Sequence, residues 1–184
     1  MLEKTELRKQ FLAARRTLSP ESHAKINQSV CGFLKREWET QAYDQVFAYL
    51  AFKGEVDLIA FLSELGEVGL PVIGDHASME FHKWSDGEFL EKNRFGILEP
   101  RVTTSKPLIP TSKTLILVPA VAVDHLGYRL GYGGGYYDRY FDRYQSGGRG
   151  LGCVAAQFFV GELPRGTFDV QLAGCVTEEH LNYF

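Results

Sequence analysis

The sequence predicts an α/β fold of three layers, α/β/α, around a mostly parallel central sheet. Two observations lead there. Apolar runs of strand length, such as residues 45–52 (QVFAYLAF) and 114–118 (TLILV), alternate with stretches of helical periodicity. The composition, 45% hydrophobic and 23% charged over 184 residues, is that of an ordinary globular chain able to bury a core. No internal repeat or linker divides the sequence, so residues 1–184 are expected to form a single domain.

Each element has a local reason. Residues 4–18 read as a helix, with Leu7, Phe11, Leu12 and Leu18 near helical spacing and basic residues between them. Ser19-Pro20-Glu21 supplies a cap residue, a proline for the first turn and an acid beside it, opening a second helix to about Glu39. Residues 45–52 read as a buried strand punctuated by Gly54. Val56, Ile59, Ala60 and Leu62 suggest a third helix ending near Gly66. Residues 70–73 and 79–84 are strand candidates, and the proline-bearing stretch 85–113 (Pro100, Pro107, Pro110) is expected to be a loop. Residues 114–118 form the clearest core strand, followed by a glycine-rich loop and a short helix over 136–144. Residues 152–160 and 175–177 complete the strands of a Rossmann-like layered sheet.

Several function classes are excluded. The net charge of −3 provides no field for a nucleic-acid backbone. No apolar run reaches the ~18–20 residues of a membrane span. The opening MLEKTELRKQ is charged from its third residue and does not read as a secretory signal. Cys31, Cys153 and Cys175 are odd in number and lack C-x-x-C spacing, which speaks against a disulfide framework or a cysteine zinc site and suits buried thiols in the cytoplasm. The five histidines show no ligand spacing, and no G-x-S-x-G elbow is present.

The chemistry concentrates between Pro119 and Arg139, PAVAVDHLGYRLGYGGGYYDR. Glycines as dense as Gly131, Gly133, Gly134 and Gly135 would weaken a helix or strand, but suit a backbone lying against a ligand. Strand, glycine loop and helix N-terminus together outline an anion site, and Arg129 and Arg139 flank it with charge. The spacing matches neither a Walker loop nor a clean dinucleotide fingerprint, and a solvated turn is the bland alternative. Asp138 beside a phosphate cradle would require a cation such as magnesium, or else it is an acid favoured by a helix dipole. Asp169 in TFDVQL is a second carboxylate with no local distinction. Lys4 and Arg8 share a helix face and could grip a triphosphate together, while Arg15 and Arg16 are assigned to a solvated basic face. Glu55 follows strand 45–52 at the end where α/β sheets bind ligands, and an ordinary first-turn acid is its alternative.

RLGYGGGYYDR, preceded by TLILVPAVAVD, resembles the signature of the 5-formyltetrahydrofolate cyclo-ligase family. Lys4-x-x-x-Arg8, Gly54-Glu55-Val56-Asp57, Asn93-Arg94-Phe95-Gly96-Ile97-Leu98-Glu99-Pro100 and Thr167-Phe168-Asp169-Val170 resemble further family segments in the expected order. The glycine motif is the specific one. The resemblance implies an ATP- and Mg2+-dependent ligase converting 5-formyltetrahydrofolate, with or without a polyglutamate tail, to 5,10-methenyltetrahydrofolate, ADP and phosphate. In that chemistry the formyl oxygen is phosphorylated, N10 attacks the activated carbon, and phosphate leaves. By position, Lys4, Thr5, Glu6, Leu7, Arg8, Arg129, Leu130, Gly131, Tyr132, Gly133, Gly134, Gly135, Tyr136 and Tyr137 would hold ATP. Asp138 and Asp169 would hold magnesium, and Arg129 and Tyr136 would be catalytic. Leu50 and Glu55 would contact the folate with loop residues 132–136, and Trp84 would wall its pocket. Gly134 stands where some members carry lysine, and Ala120 and Val123 where glycine and phenylalanine are common. A cytoplasmic monomer acting on a small molecule is expected. The alternatives are a sugar-phosphate isomerase or CoA-transferase relative, and an RNA-binding module using YYDRYFDRY.

Overall fold

The computed structural model describes residues 3–102, 106–145 and 147–184. Helix α1 (Lys4–Arg16) ends at Thr17, whose hydroxyl donates to the Ala14 carbonyl at 2.7 Å. Helix α2 (Pro20–Thr40) begins as predicted, with Ser19 Oγ accepting from the Ser22 N–H at 3.1 Å and Pro20 in the first turn. Strand β1 (Gln45–Phe47) is much shorter than the apolar run that predicted it. Beyond Phe47 the chain stays buried through Tyr49 but leaves the ladder, turning at Lys53 and Gly54 in left-handed conformations (φ 50° and 75°). The apolar run reported burial rather than pairing.

Helix α3 (Ile59–Leu65) stops at Gly66, which takes φ 75°. Strands β2 (Val68–Ile73) and β3 (Met79–Trp84) pair antiparallel along their full lengths. The stretch expected to be a loop holds three short strands, β4 (Leu90–Lys92), β5 (Leu98–Pro100) and β6 (Pro107–Leu108), while its residues 103–105 lie outside the described ones. The β4–β5 hairpin closes on Asn93, whose side-chain oxygen accepts from the Phe95 and Ile97 N–H groups at 2.9 and 3.1 Å. Prolines persist there because they sit at strand ends and on an edge strand, where no ladder donor is lost.

Strand β7 (Thr114–Pro119) is fully buried until its last residue. It does not lead straight into the glycine loop. An antiparallel pair, β8 (Ala122–Asp124) and β9 (Arg129–Leu130), intervenes. Its turn is organised by buried Asp124, whose Oδ1 accepts from the Leu126 and Tyr128 N–H groups at 3.0 and 2.8 Å. Helix α4 (Tyr136–Arg143), β10 (Arg149–Cys153), β11 (Phe159–Val160), β12 (Gly174–Val176) and β13 (Leu181–Tyr183) follow.

The main sheet runs β13-β12-β10-β7-β1-β2-β3-β6. Its centre, β12-β10-β7-β1-β2, is parallel, and the flanking pairs are antiparallel. The α/β reading with a largely parallel sheet therefore holds. Helix α4 packs on β3 through Tyr140 and Phe81, edge to face at 5.0 Å, and Phe81 stacks on Phe47 at 4.7 Å. The parallel core carries the C-terminal ends of β1, β7 and β10 to one edge of the sheet, where the connecting segments gather.

Candidate active site

Helix α1 lies across the loops at that edge. Lys4, Arg8 and Arg15 form one stripe, because eleven residues are close to three helical turns. Each meets a segment far along the chain. Lys4 pairs with the Asp169 carboxylate. Arg8 Nε donates to the Gly131 carbonyl at 2.6 Å, and its guanidinium lies against Gly133, 3.5 Å from where a Cβ would stand. Arg15, only 3% exposed, donates to the carbonyls of Ala120 and Val121 at 2.5 and 3.1 Å and to the Tyr132 hydroxyl at 3.3 Å. Its guanidinium also sits 5.5 Å from the Phe158 ring centre. The assignment of Arg15 to a solvated face is thus corrected: on the stripe that faces the loops, its fork satisfies carbonyls that would otherwise be buried unpaired. Arg16, one residue round the helix, is exposed as expected. Thr5 and Glu6 are exposed on α1, with Glu6 accepting from Gln10 at 3.2 Å, and Leu7 packs on the core.

The glycine loop obtains its shape from two residues. Gly133 (φ 97°) and Gly135 (φ 66°) occupy conformations that L side chains rarely adopt, and Gly135 is the residue before α4. A Cβ on Gly134 would stand 2.6 Å from the Tyr136 ring. Leu130 is buried, and the Tyr137 hydroxyl is buried with no hydrogen-bond partner among the described residues. Arg139 Nη2 donates to the Gly134 carbonyl at 2.5 Å and Nε to Ala77 at 3.1 Å, so it braces the loop. From the opposite side the β4–β5 hairpin reaches over: Arg94 Nη2 donates to the Tyr136 hydroxyl at 3.4 Å, and Phe95 meets the Tyr136 ring edge-on at 6.4 Å.

Arg129 is nearly buried rather than projecting into the loop. Its Nη2 donates to Asp138 Oδ1 at 2.7 Å and Nη1 to the Val170 carbonyl at 3.1 Å, while the Val170 N–H donates back to Asp138 Oδ1 at 3.2 Å. Burial lowers the guanidinium pKa, and Asp138 opposes that effect. Asp138 and Asp169 are thereby brought to neighbouring positions through Val170. Burial works to raise the Asp169 pKa, but the Gly166 N–H, at 2.6 Å, and the Lys4 ammonium hold it below the usual carboxylate range. Each acid is balanced by one cation. Two hard carboxylate donors suit magnesium, which keeps several waters and shares phosphate oxygens rather than filling a protein cage. No cluster of three or more His, Cys, Asp and Glu occurs among the described residues.

Glu55 stands at the edge predicted for it, buried, with Oε2 accepting from the Phe52 N–H at 2.9 Å. Burial pushes its carboxyl up to about 7, against the opposing influence of that N–H, Arg15 and Tyr132. Burial and the Glu55 charge push the Tyr132 hydroxyl up to about 12. Leu50 lies half-buried on the same segment. Trp84 does not join this group. It pairs with Val68, at the opposite end of β2 from Ile73, and its Nε1 donates to the Glu88 carbonyl at 3.3 Å. There it is part of the core and lines a separate recess of about 550 Å³ with Phe89, Arg101 and Lys106. Strand polarity decides the point, since β3 runs antiparallel and carries its last residue away from the ligand edge.

The sequence pattern of the 5-formyltetrahydrofolate cyclo-ligase family matches residues 1–178. The NMR structure of Aquifex aeolicus 5,10-methenyltetrahydrofolate synthetase is similar with a TM-score of 0.85 at 32% identity, over 99% of this chain and 93% of that one. A 5,10-methenyltetrahydrofolate synthetase from Mycoplasma pneumoniae shares the fold with a TM-score of 0.77 at 22% identity, over 96% of this chain and 99% of that one. No curated protein matches the sequence significantly.

Proposed function

The chain belongs to the 5-formyltetrahydrofolate cyclo-ligase family, and from that premise we propose that the cleft between α1, the glycine loop and Glu55 is where its reaction takes place. The protein is an ATP-dependent ligase that converts 5-formyltetrahydrofolate to 5,10-methenyltetrahydrofolate. The observation that carries the siting is the convergence of Arg8, Gly131 and Gly133, which sets a cationic helix face against a backbone free of side-chain bulk.

In this reading Lys4, Arg8 and the loop amides from Gly131 to Tyr137 hold the phosphates of ATP. ATP supplies the phosphoryl group that turns the formyl oxygen into a leaving group. Asp138 and Asp169 would hold magnesium, which neutralises phosphate charge. Lys4 and Arg129 already pair with those acids, so the two carboxylates are oriented before any ligand arrives. Tyr132 and Tyr136 flank the loop glycines and would border the substrate, while the Tyr137 hydroxyl is buried with no hydrogen-bond partner among the described residues. Glu55, beside Leu50, faces the folate as a buried hydrogen-bonding group. No nucleophilic residue is needed, because N10 of the substrate is the nucleophile. Positioning and charge neutralisation are the protein's contribution.

The single-domain and monomeric readings belong to the same proposal. Among the described residues no helix is long and apolar enough to cross a membrane, and the three buried free cysteines support a reducing, cytoplasmic setting. The test is absorbance of the methenyl product, with and without ATP and magnesium. Product that forms only with both supports the reading. Turnover without ATP, or none at all with both present, refutes it.

A further inference from the structure

We propose that Arg15 is a positioning residue. From helix α1 it fixes the Tyr132 hydroxyl and the Glu55 carboxylate in one arrangement, so that the helix presenting Lys4 and Arg8 to the nucleotide also sets the folate side of the cleft. The proposal rests on the siting of the reaction given above.

A guanidinium that is 3% exposed is held by more than solvent. Two of its hydrogen bonds go to Ala120 and Val121, immediately after β7, which is the rigid centre of the sheet. The third goes to Tyr132, which is 43% exposed and sits between Gly131, where a Cβ would meet nothing within 4 Å, and Gly133. A loop so poor in side-chain restraint needs pins from outside. Helix α1 provides two, Arg8 on the Gly131 carbonyl and Arg15 on the Tyr132 hydroxyl. Arg15 therefore ties the least restrained part of the cleft to the most rigid part. A lysine could replace the charge but not the fork.

The same guanidinium also acts on charge: with the Phe52 N–H it opposes the burial that raises the Glu55 carboxyl. The groups acting on Glu55 come from each neighbouring element: Arg15 from α1, Tyr132 from the glycine loop, Tyr137 from α4, Tyr49 and the Phe52 N–H from the segment after β1. Arg15 is the cation among them. Without it the buried carboxyl would hold its proton to higher pH, and the Tyr132 hydroxyl would lose the partner that orients it.

The test uses the full chain with Arg15→Lys, Arg15→Ala, Tyr132→Phe and the Arg15→Lys/Tyr132→Phe pair. The Glu55 carboxyl is titrated by carbon-13 NMR in the ligand-free protein, with Glu55→Gln as the assignment control. Arg15→Ala is expected to raise the Glu55 midpoint by about one pH unit, and Arg15→Lys to restore it. Arg15→Lys and Tyr132→Phe are each expected to raise KM for 5-formyltetrahydrofolate by about ten-fold, with KM for ATP changed less than about two-fold and no further loss in the double variant. If Arg15→Ala fails to fold, the lysine and phenylalanine variants carry the test. An unmoved Glu55 midpoint in a folded Arg15→Ala protein overturns the proposal. So does unchanged KM in Arg15→Lys, or full multiplication of the two losses in the pair. Absence of turnover in the wild type would defeat the functional reading instead, while the ligand-free titration would still decide this one.

Discussion

Replacing Glu55 by glutamine should stabilise the protein at pH 8 and leave its stability unchanged in mild acid. The side chain is only 7% exposed. Burial outweighs the Phe52 N–H, Arg15 and Tyr132, and raises the carboxyl from its ordinary 4.5 to about 7. An acid raised on folding keeps its proton in the native state through a window where the unfolded chain has already released it. The native state thus binds more protons between those two values, and stability falls as pH rises through them. At about 1.4 kcal/mol per pH unit, the full penalty above pH 7 is on the order of 3 kcal/mol. Glutamine is neutral at every pH and its amide oxygen can still accept from Phe52, so it escapes the penalty. Asp169 has the opposite sign, since its lowered pKa contributes stability that is lost as pH falls, but it is common to both proteins and cancels in the difference. Urea unfolding of both proteins at pH 8 and pH 4.5 reads the effect. A gain of about 2–3 kcal/mol at pH 8 that vanishes at pH 4.5 is expected. No gain at pH 8, or the same gain at both values, would refute the reasoning. The more stable variant should also lose folate turnover, because the strained group is the one assigned to substrate.

Asp138→Asn leaves the Arg129 guanidinium, whose side chain is 5% exposed, without its anion. The loss should be about 3 kcal/mol, seen calorimetrically as a fall in Tm of roughly 10 °C. A loss below about 1 kcal/mol would show that solvent already screens the pair. Gly133→Ala forces a Cβ onto φ 97° and should cost about 1–2 kcal/mol while weakening Mg-ATP binding in titration calorimetry. Gly131→Ala, with no positive φ and open space around the added methyl, should change stability by less than about 0.5 kcal/mol, and equal losses in the two variants would contradict this account of the loop.

What was legible in the sequence follows from what each signal measures. Helix α2 was legible from Ser19-Pro20, because capping is a local interaction. The β4–β5 hairpin was not, because Asn93 and Gly96 close it by a side-chain turn within a polar stretch that carries no strand-like alternation. Lys4, Arg8, the glycines, Asp138 and Glu55 were legible as a group because their residue types are costly or unusual where they stand. Trp84 was misplaced because strand polarity is a property of the assembled sheet, and an antiparallel β3 takes it to the far edge. Arg15 could have been found, since it extends the Lys4–Arg8 stripe by two further turns. Considered with adjacent Arg16 alone, it looked like one of two solvent-facing charges. The family match settles the choice against the isomerase and RNA-binding readings.

The stripe on α1 has a consequence in time. Its bonds close over separations of 165, 123 and 105 residues, to Asp169, Gly131 and Ala120. At roughly 5–20 residues per second, a ribosome delivers the partner of Lys4 on the order of ten seconds or more after Lys4 itself. During synthesis, then, the cations of this helix wait 105 to 165 residues for their counterparts, and the set is complete only once Asp169 has emerged. Contacts of such long range carry a loop-closure cost that contacts within a helix do not.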